Sequence, residues 1–266
     1  MSKQIYVPVN GIARKVTKVY APVNGVARSV KKVYKGVNGI ARQVFEALPP
    51  LDATFANNTW ENIIIACQAD AVPDTWVVGS QKAMAINGAD YQIDIIGKNH
   101  DDYADGSGKA PLTFQIHGVY NGMRVMNQGN TNAGGWRDSF MRNSNLPLLL
   151  TLMPPEAQAG IREVSKKTSV GSQSSDIVTT ADKLFLLSEI EVFGEIWYSF
   201  PGEGTQYAYY AQGNPRDKKI YGASVSCWER SPYTDSDASF CVVSGYGEMS
   251  FDIASTSLYY APAFCF

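Results

Sequence analysis

The chain has 266 residues with a formal net charge of −2, 45% hydrophobic residues and only 18% charged ones. That is length enough for one large or two ordinary domains with a real core. The near-neutral balance excludes general nucleic-acid affinity, which needs a strong positive field. Frequent Tyr (15) and Gly (23) lean towards β structure with ordered loops.

The charge is unevenly spread. Residues 1–48 hold nine Lys/Arg and one acid, Glu46, so a basic N-terminal segment precedes an acidic remainder. Solvation of the segment explains this, as does docking onto an acidic partner. The first residues lack an apolar signal core, and no apolar run approaches the ~20 residues needed to span a bilayer. Synthesis in the cytoplasm, outside the usual secretion route, and no membrane insertion are expected.

From Tyr6 the sequence repeats every 14 residues: YVPVNGIARKVTKV, YAPVNGVARSVKKV, YKGVNGIARQVFEA. Asn10-Gly11, Asn24-Gly25 and Asn38-Gly39 align, flanked by β-branched residues, and Asn-Gly accepts the positive φ of tight hairpin turns. Each repeat therefore predicts a strand, a turn and a return strand. Such short hairpins do not fold alone in water. They must stack on something, which favours attachment or oligomerisation, a homotrimer being expected, over a plain spacer.

Pro49-Pro50 marks a boundary, giving a stem at 1–48 and a body at 49–266. Thr59 is placed to cap a short helix through Cys67. Trp76–Gly79, Tyr91–Gly97 and Leu112–Ile116 read as strands, with Asn87-Gly88 as a turn. Gly135–Arg142 reads as a helix, Leu146–Met153 is apolar, and Glu156–Lys166 reads as helical. The Ser/Thr/Gly-rich stretch 165–180 reads as a long loop. Lys183–Phe193 reads as strand then helix, and short strands and loops follow Tyr207. Cys67, Cys227, Cys241 and Cys265 form no CxxC pair, so reduced, buried thiols are expected and a Cys227–Cys241 bridge is the lesser alternative.

Six segments occur in order: Trp60-Glu61-Asn62-Ile63, Ile95 to Asp102, Gly135-Trp136-Arg137-Asp138-Ser139, Asp182 to Glu189, Cys227-Trp228-Glu229-Arg230-Ser231-Pro232, and the final Ala261-Pro262-Ala263-Phe264-Cys265-Phe266. Together they resemble a domain family common in prophage tail and surface proteins of gut bacteria. The 14-residue repeat resembles those ahead of this domain in phage minor tail proteins. The segment from Trp228 to Pro232, a glycine turn and the Pro262-Ala263-Phe264 end are similar to the C-type lectin-like fold of formylglycine-generating enzymes and of retroelement-diversified variable proteins. The resemblance implies an α+β, C-type lectin-like domain with a variable region at about 221–260. It also implies a virion-tail protein that attaches to a bacterial cell-surface protein or glycan and is held by tail or baseplate proteins.

Tyr with Ser, Gly and Asn is the composition of adaptable binding loops. Expected exposed contacts are Tyr221, Ser224, Ser226, Tyr233, Thr234, Asp235, Asp237, Ser239, Tyr246, Phe251 and Tyr259. Ordinary turn chemistry uses the same residue types. Trp228, Arg230 and Pro232 are assigned to structure and Phe264 to the core, with Arg230 expected to tie loops through carboxylates or carbonyls. The run Asn99–Gly106 offers hard oxygen ligands for calcium, but not at EF-hand spacing, and a hydrogen-bonded loop is the simpler reading. No catalytic motif is present. Binding without catalysis, cofactor or metal is the expectation, with a fixed-specificity adhesin or a cell-wall-acting tail enzyme as alternatives.

Overall fold

The computed structural model describes all residues except 1–5, 10–11, 16–18, 24–25, 31, 38–39 and 47. The protein is mixed α+β, mostly sheet with short helices. It divides into two compact units, Met1–Thr75 and Trp76–Phe266.

In the first unit, β1 (Tyr6–Val9) pairs antiparallel with β2 (Ile12–Lys15), β3 (Val19–Val23) with β4 (Val26–Val30), and β5 (Lys32–Val37) with β6 (Ile40–Glu46). The Asn-Gly dipeptides expected at the turns lie outside the described residues. Helix α1 (Trp60–Gln68) starts where the sequence places it: the Thr59 hydroxyl accepts from the Asn62 amide at 3.2 Å, satisfying one of the orphan donors of the first turn. The Asn58 side chain donates to the Asp52 and Thr54 carbonyls and so ties the preceding loop.

The second unit opens with a correction. Trp76–Gly79 is a turn, closed by the Ser80 amide on the Val77 carbonyl and by Gly79 at φ 90°. Its apolar look comes from Trp76, which is fully buried. Next come β7 (Gln81–Ile86), the Asn87-Gly88 turn, β8 (Ala89–Lys98) and β9 (Leu112–Ile116). The helix expected over 135–142 stops early as α2 (Gly135–Asp138), because Ser139 is extended; a π-helical turn at Met141–Asn145 then leads into α3 (Leu146–Leu152).

The helix expected from Glu156 to Lys166 also ends early, as α4 (Pro155–Gly160). The long loop expected over 165–180 is instead a hairpin, β10 (Val164–Ser169) with β11 (Ile177–Asp182). Its polarity misleads because Lys166 and Thr168 point inward to buried polar partners. After β12 (Leu184–Phe185) come α5 (Glu189–Phe193) and a short α6 (Ala208–Ala211). Strands β13 (Lys218–Ile220) and β14 (Ala223–Val225) form a small hairpin. The remaining strands are β15 (Cys227–Pro232), β16 (Ser239–Val243), β17 (Met249–Ile253), β18 (Tyr259–Tyr260) and β19 (Ala263–Cys265).

Two sheets organise this unit, ordered β12-β19-β9-β8-β7 and β17-β16-β15-β18. Strands β9, β15 and β16 are buried along their whole length, as expected of strands covered on both faces. Phe114, Phe264 and Phe266 meet with ring centroids 5.3–5.5 Å apart, so Phe264 does sit in the core. All four cysteines are buried and free.

Close backbone approach fixes α2 against β10. A Cβ on Gly135, which holds φ 58°, would lie 2.0 Å from the Ser169 carbonyl oxygen. Gly135→Ala is therefore expected to destabilise the protein by at least about 2 kcal/mol, through clash and left-handed strain together. Urea denaturation of the two proteins checks this; equal midpoints would refute the close approach.

Candidate functional site

The C-terminal loops hang on a buried ionic frame. Arg230, fully buried on β15, donates to Glu191 at 2.5 and 2.9 Å, a two-pronged pair of the kind the planar guanidinium favours. Its remaining donors reach the carbonyls of Leu186 and Glu203 and the Thr168 hydroxyl. Glu191 also closes the capping box of α5 with Ser188 and accepts from Lys166 at 2.7 Å. The Lys166 ammonium donates in turn to Asp101 at 2.7 Å and Tyr207 at 3.1 Å. Burial works against the charge of Asp101, yet Lys166 and Thr113 hold its carboxyl down at about 2. Glu191 is likewise held low by Arg230 and Lys166 against its own burial.

Three more acids complete the frame. The Glu203 carboxylate accepts from the Ser169 amide at 2.8 Å and from the Ser231 hydroxyl. Burial nevertheless raises its pKa to about 7. Glu229 is buried with both carboxyl oxygens unpartnered among the described residues, and burial with the nearby Glu189 and Glu203 pushes its pKa far up. Glu229 is thus carried as the neutral acid.

Glu189 does the positioning. Its carboxylate accepts from the amides of Tyr198 (3.1 Å) and Ser199 (2.8 Å) and from the Ser199 hydroxyl (2.7 Å). The Tyr198 carbonyl then accepts from the Thr234 amide at 2.8 Å. Tyr198, Tyr233 and Phe251 consequently meet: Tyr233 stacks on Phe251 with centroids 4.1 Å apart, and Tyr198 packs edge-on to both at 5.4 and 5.3 Å. Phe251 and Ile253 on the edge strand β17 are 43% and 45% exposed, and Trp197 beside Tyr198 in the chain is 71% exposed. This is an aromatic platform on a rigid mount.

The expected contact residues therefore separate. Tyr233, Thr234, Asp235 and Phe251 belong to the platform or its rim, all at least partly exposed. Tyr246, 90% exposed, tips the Ser244–Gly247 turn, and Tyr221, 88% exposed, tips the β13–β14 hairpin. Ser224 is exposed and bonds Asp217 at 3.0 Å. Ser226 and Tyr259 are half-buried, and Asp237 is exposed while its carbonyl accepts from the Asn132 amide. Ser239, expected on the surface, is a correction. It is buried because it forms the closing rung of β16, its carbonyl taken by the Asn132 side chain and the Tyr233 amide. Trp197 and Tyr198 fall outside the 221–260 window and were missed; two adjacent aromatics between Gly194 and Gly202 were the available signal.

The Asn99–Gly106 run has its carboxylates occupied. Asp101 is engaged as above, Asp102 pairs with Lys109 at 3.1 Å, and Asp105 pairs with Arg162 at 2.7 Å. His100, Asp101 and Glu191 do bring ligand atoms within 4.8 Å of one another. A cation there would have to displace the Lys166 ammonium that bridges the two acids.

Two outcomes follow from this frame. Lys166→Met, which takes from buried Asp101 its cationic partner and from Glu191 one of two, is expected to lower stability by about 3–5 kcal/mol in urea melts; a loss under 1 kcal/mol would contradict the bridging role. Glu203 binds its proton more tightly folded (about 7) than its reference value of 4.5. Its contribution is full below pH 4.5 and is lost as pH rises to 7. Thermal stability should therefore decline across that window, and Glu203→Gln should flatten the decline. An unchanged slope would assign the dependence to other groups.

No curated protein and no solved structure matches this chain. A family model described as a domain of unknown function (DUF6273) matches residues 114–266, the part that carries Arg230, Glu191 and Lys166 of the buried frame, the aromatic platform and the buried strands β15 and β16. The chain belongs to the DUF6273 family of domains of unknown function.

Proposed function

We propose that this protein is a non-enzymatic recognition module of a phage tail or phage-derived surface assembly, with the platform of Tyr198, Tyr233 and Phe251 as its receptor-binding face. The stacked, half-exposed Tyr233–Phe251 pair carries this reading. Rigid aromatics offer large amphipathic contact area at low entropic cost, and here Glu189 and the Arg230 frame have already fixed their mount. The body is read as a C-type lectin-like domain whose C-terminal region, about 221–260, supplies the variable contacts. The segment 1–48 is read as the hairpin stem that docks on tail or baseplate proteins and trimerises. Trimeric display would raise weak single-site affinity for a bacterial surface protein or glycan by orders of magnitude.

A cell-wall-acting enzyme is the reading of another class. The buried acids Glu189, Glu191 and Glu203 are engaged in the frame and Glu229 is sealed from solvent, so none of these four stands open to a substrate, which favours binding. A bacterial adhesin of fixed specificity would use the same face, and the gene's neighbourhood separates it from a diversified one: a reverse transcriptase and a near-copy of the 3′ end accompany diversification.

The test is retention of the purified full chain on a panel of intact Gram-positive and Gram-negative bacterial cells. The Tyr233→Ser/Phe251→Ala double variant should bind at least about thirtyfold more weakly, as for a hot spot worth 2 kcal/mol, with a melting temperature close to that of the parent. Full retention by the double variant, or no cell binding by the parent, overturns the assignment.

A further inference from the structure

A second feature lies apart from the platform residues, at the β13–β14 hairpin. A cleft of about 350 Å³ is lined by Tyr91, His117, Asn121, Tyr209, Asp217 and Tyr221, among others. That volume falls in the range of about 300–1,000 Å³ typical of small-molecule sites.

Its polar groups are oriented from behind. His117 Nδ1 lies 2.8 Å from Oδ2 of Asp94, whose side chain is fully buried. The Gln81 amide donates to the other Asp94 oxygen at 2.7 Å. With Nδ1 committed to Asp94, Nε2 is the ring nitrogen left for a ligand, and the half-exposed ring cannot turn without breaking the pair. Tyr209, on α6, is 5% exposed and lines the cleft. Tyr91 stacks on Tyr120 with centroids 5.5 Å apart, and its hydroxyl accepts from the Asn121 amide.

The rim is strained in a way that folding alone does not call for. Tyr221 and Gly222 link paired Ile220 and Ala223, and both have positive φ (50° and 83°). Such a two-residue turn favours Asn-Gly or Gly-Gly. A tyrosine in the left-handed region costs about 1 kcal/mol, and the ring it displays is 88% exposed. The Asn121 side-chain amide donates to the Tyr221 hydroxyl at 2.6 Å and holds the ring at the cleft's edge.

We propose that this cleft binds a neutral pyranose sugar. The rings of Tyr91 and Tyr221 at the cleft suit the apolar C–H face of such a ring. Asp90, Asn121, Asp217 and His117 supply acceptors and donors for its hydroxyls. The charge balance sets the class: Asp90 and Asp217 face Lys219 alone, and Lys219 is already 3.6 Å from Asp217. An anionic sugar or a phosphate would meet net negative charge there. The lining also holds no Ser, Thr or Cys, so no hydroxyl or thiol nucleophile stands beside His117. The cleft stands on its own residues and does not depend on the aromatic platform binding a receptor.

The test is a titration of the full chain with glucose, galactose, mannose, rhamnose and N-acetylglucosamine, up to about 50 mM, read by ligand-detected NMR saturation transfer and by the His117 ring resonances. At least one sugar should saturate and shift those resonances. Tyr221→Ala and His117→Gln should each weaken that sugar at least tenfold. Phe251→Ala should leave it unchanged, which separates this cleft from the platform. Four results overturn the proposal: no saturable binding by any of the five sugars, binding indifferent to both cleft variants, equal loss in Phe251→Ala, or release of reducing ends from an oligosaccharide, which would make the cleft hydrolytic.

Discussion

The pairing of Arg230 with Glu191 is the constraint on which the rest of the second unit turns. Two charges removed from water carry a desolvation cost of several kcal/mol each, and the pair is tolerable only if every remaining donor and acceptor is met. Here they are met: Arg230 reaches backbone carbonyls from the β12–α5 connection and the loop at Glu203 as well as Thr168 on β10. Glu191 caps its own helix and shares Lys166 with Asp101. Five chain segments distant in sequence are therefore fixed relative to one another by geometry that admits few alternatives. Such a pair specifies an arrangement more than it stabilises one.

What the frame specifies is loop position. Residues 194–207 contain little regular structure, and loops of that length ordinarily sample many conformations. Glu189 removes that freedom by accepting from the Tyr198 and Ser199 amides and the Ser199 hydroxyl, and the Glu203 carbonyl, further along the loop, accepts from Ser188 and Arg230. Tyr198 thereby reaches Tyr233 and Phe251 already ordered, and an ordered surface loses less entropy on binding. Glu229 marks the limit of this design. A carboxyl with no partner among the described residues is affordable beside other acids only when protonated, and burial drives Glu229 in that direction.

The sequence disclosed most where a local rule was sufficient. Thr59 as a helix cap, Asn87-Gly88 as a turn, and Leu112–Ile116 as a strand follow from short-range chemistry. So does Arg230 as a tie to carboxylates and carbonyls, which its planar fork of donors permits. The misreading of 165–180 has a long-range cause. The β10–β11 hairpin looked like a loop because its inward residues are Lys166 and Thr168, whose partners lie far away in the chain at Asp101, Glu191 and Arg230. Composition cannot show that a polar residue is buried when its counterpart is 25 or 65 residues distant. The surface sites divided the same way. Tyr221 and Tyr246 were expected to be exposed and are, whereas the platform needed Tyr198, which Glu189 helps to place beside Tyr233.

The binding reading and the repeats bear on each other through affinity. A cleft that closes on a single pyranose through a few hydrogen bonds and ring faces yields millimolar affinity, which alone retains nothing on a cell. Linked copies change this, because each further engagement is intramolecular and the gain compounds with the number of copies. A chain with a repetitive basic segment ahead of a rigid, loop-bearing body is economical under that logic. Modest contacts at each body suffice, and they can vary without loss of the fold, since the platform rings and Tyr221 sit outside the Arg230 frame that holds the body together.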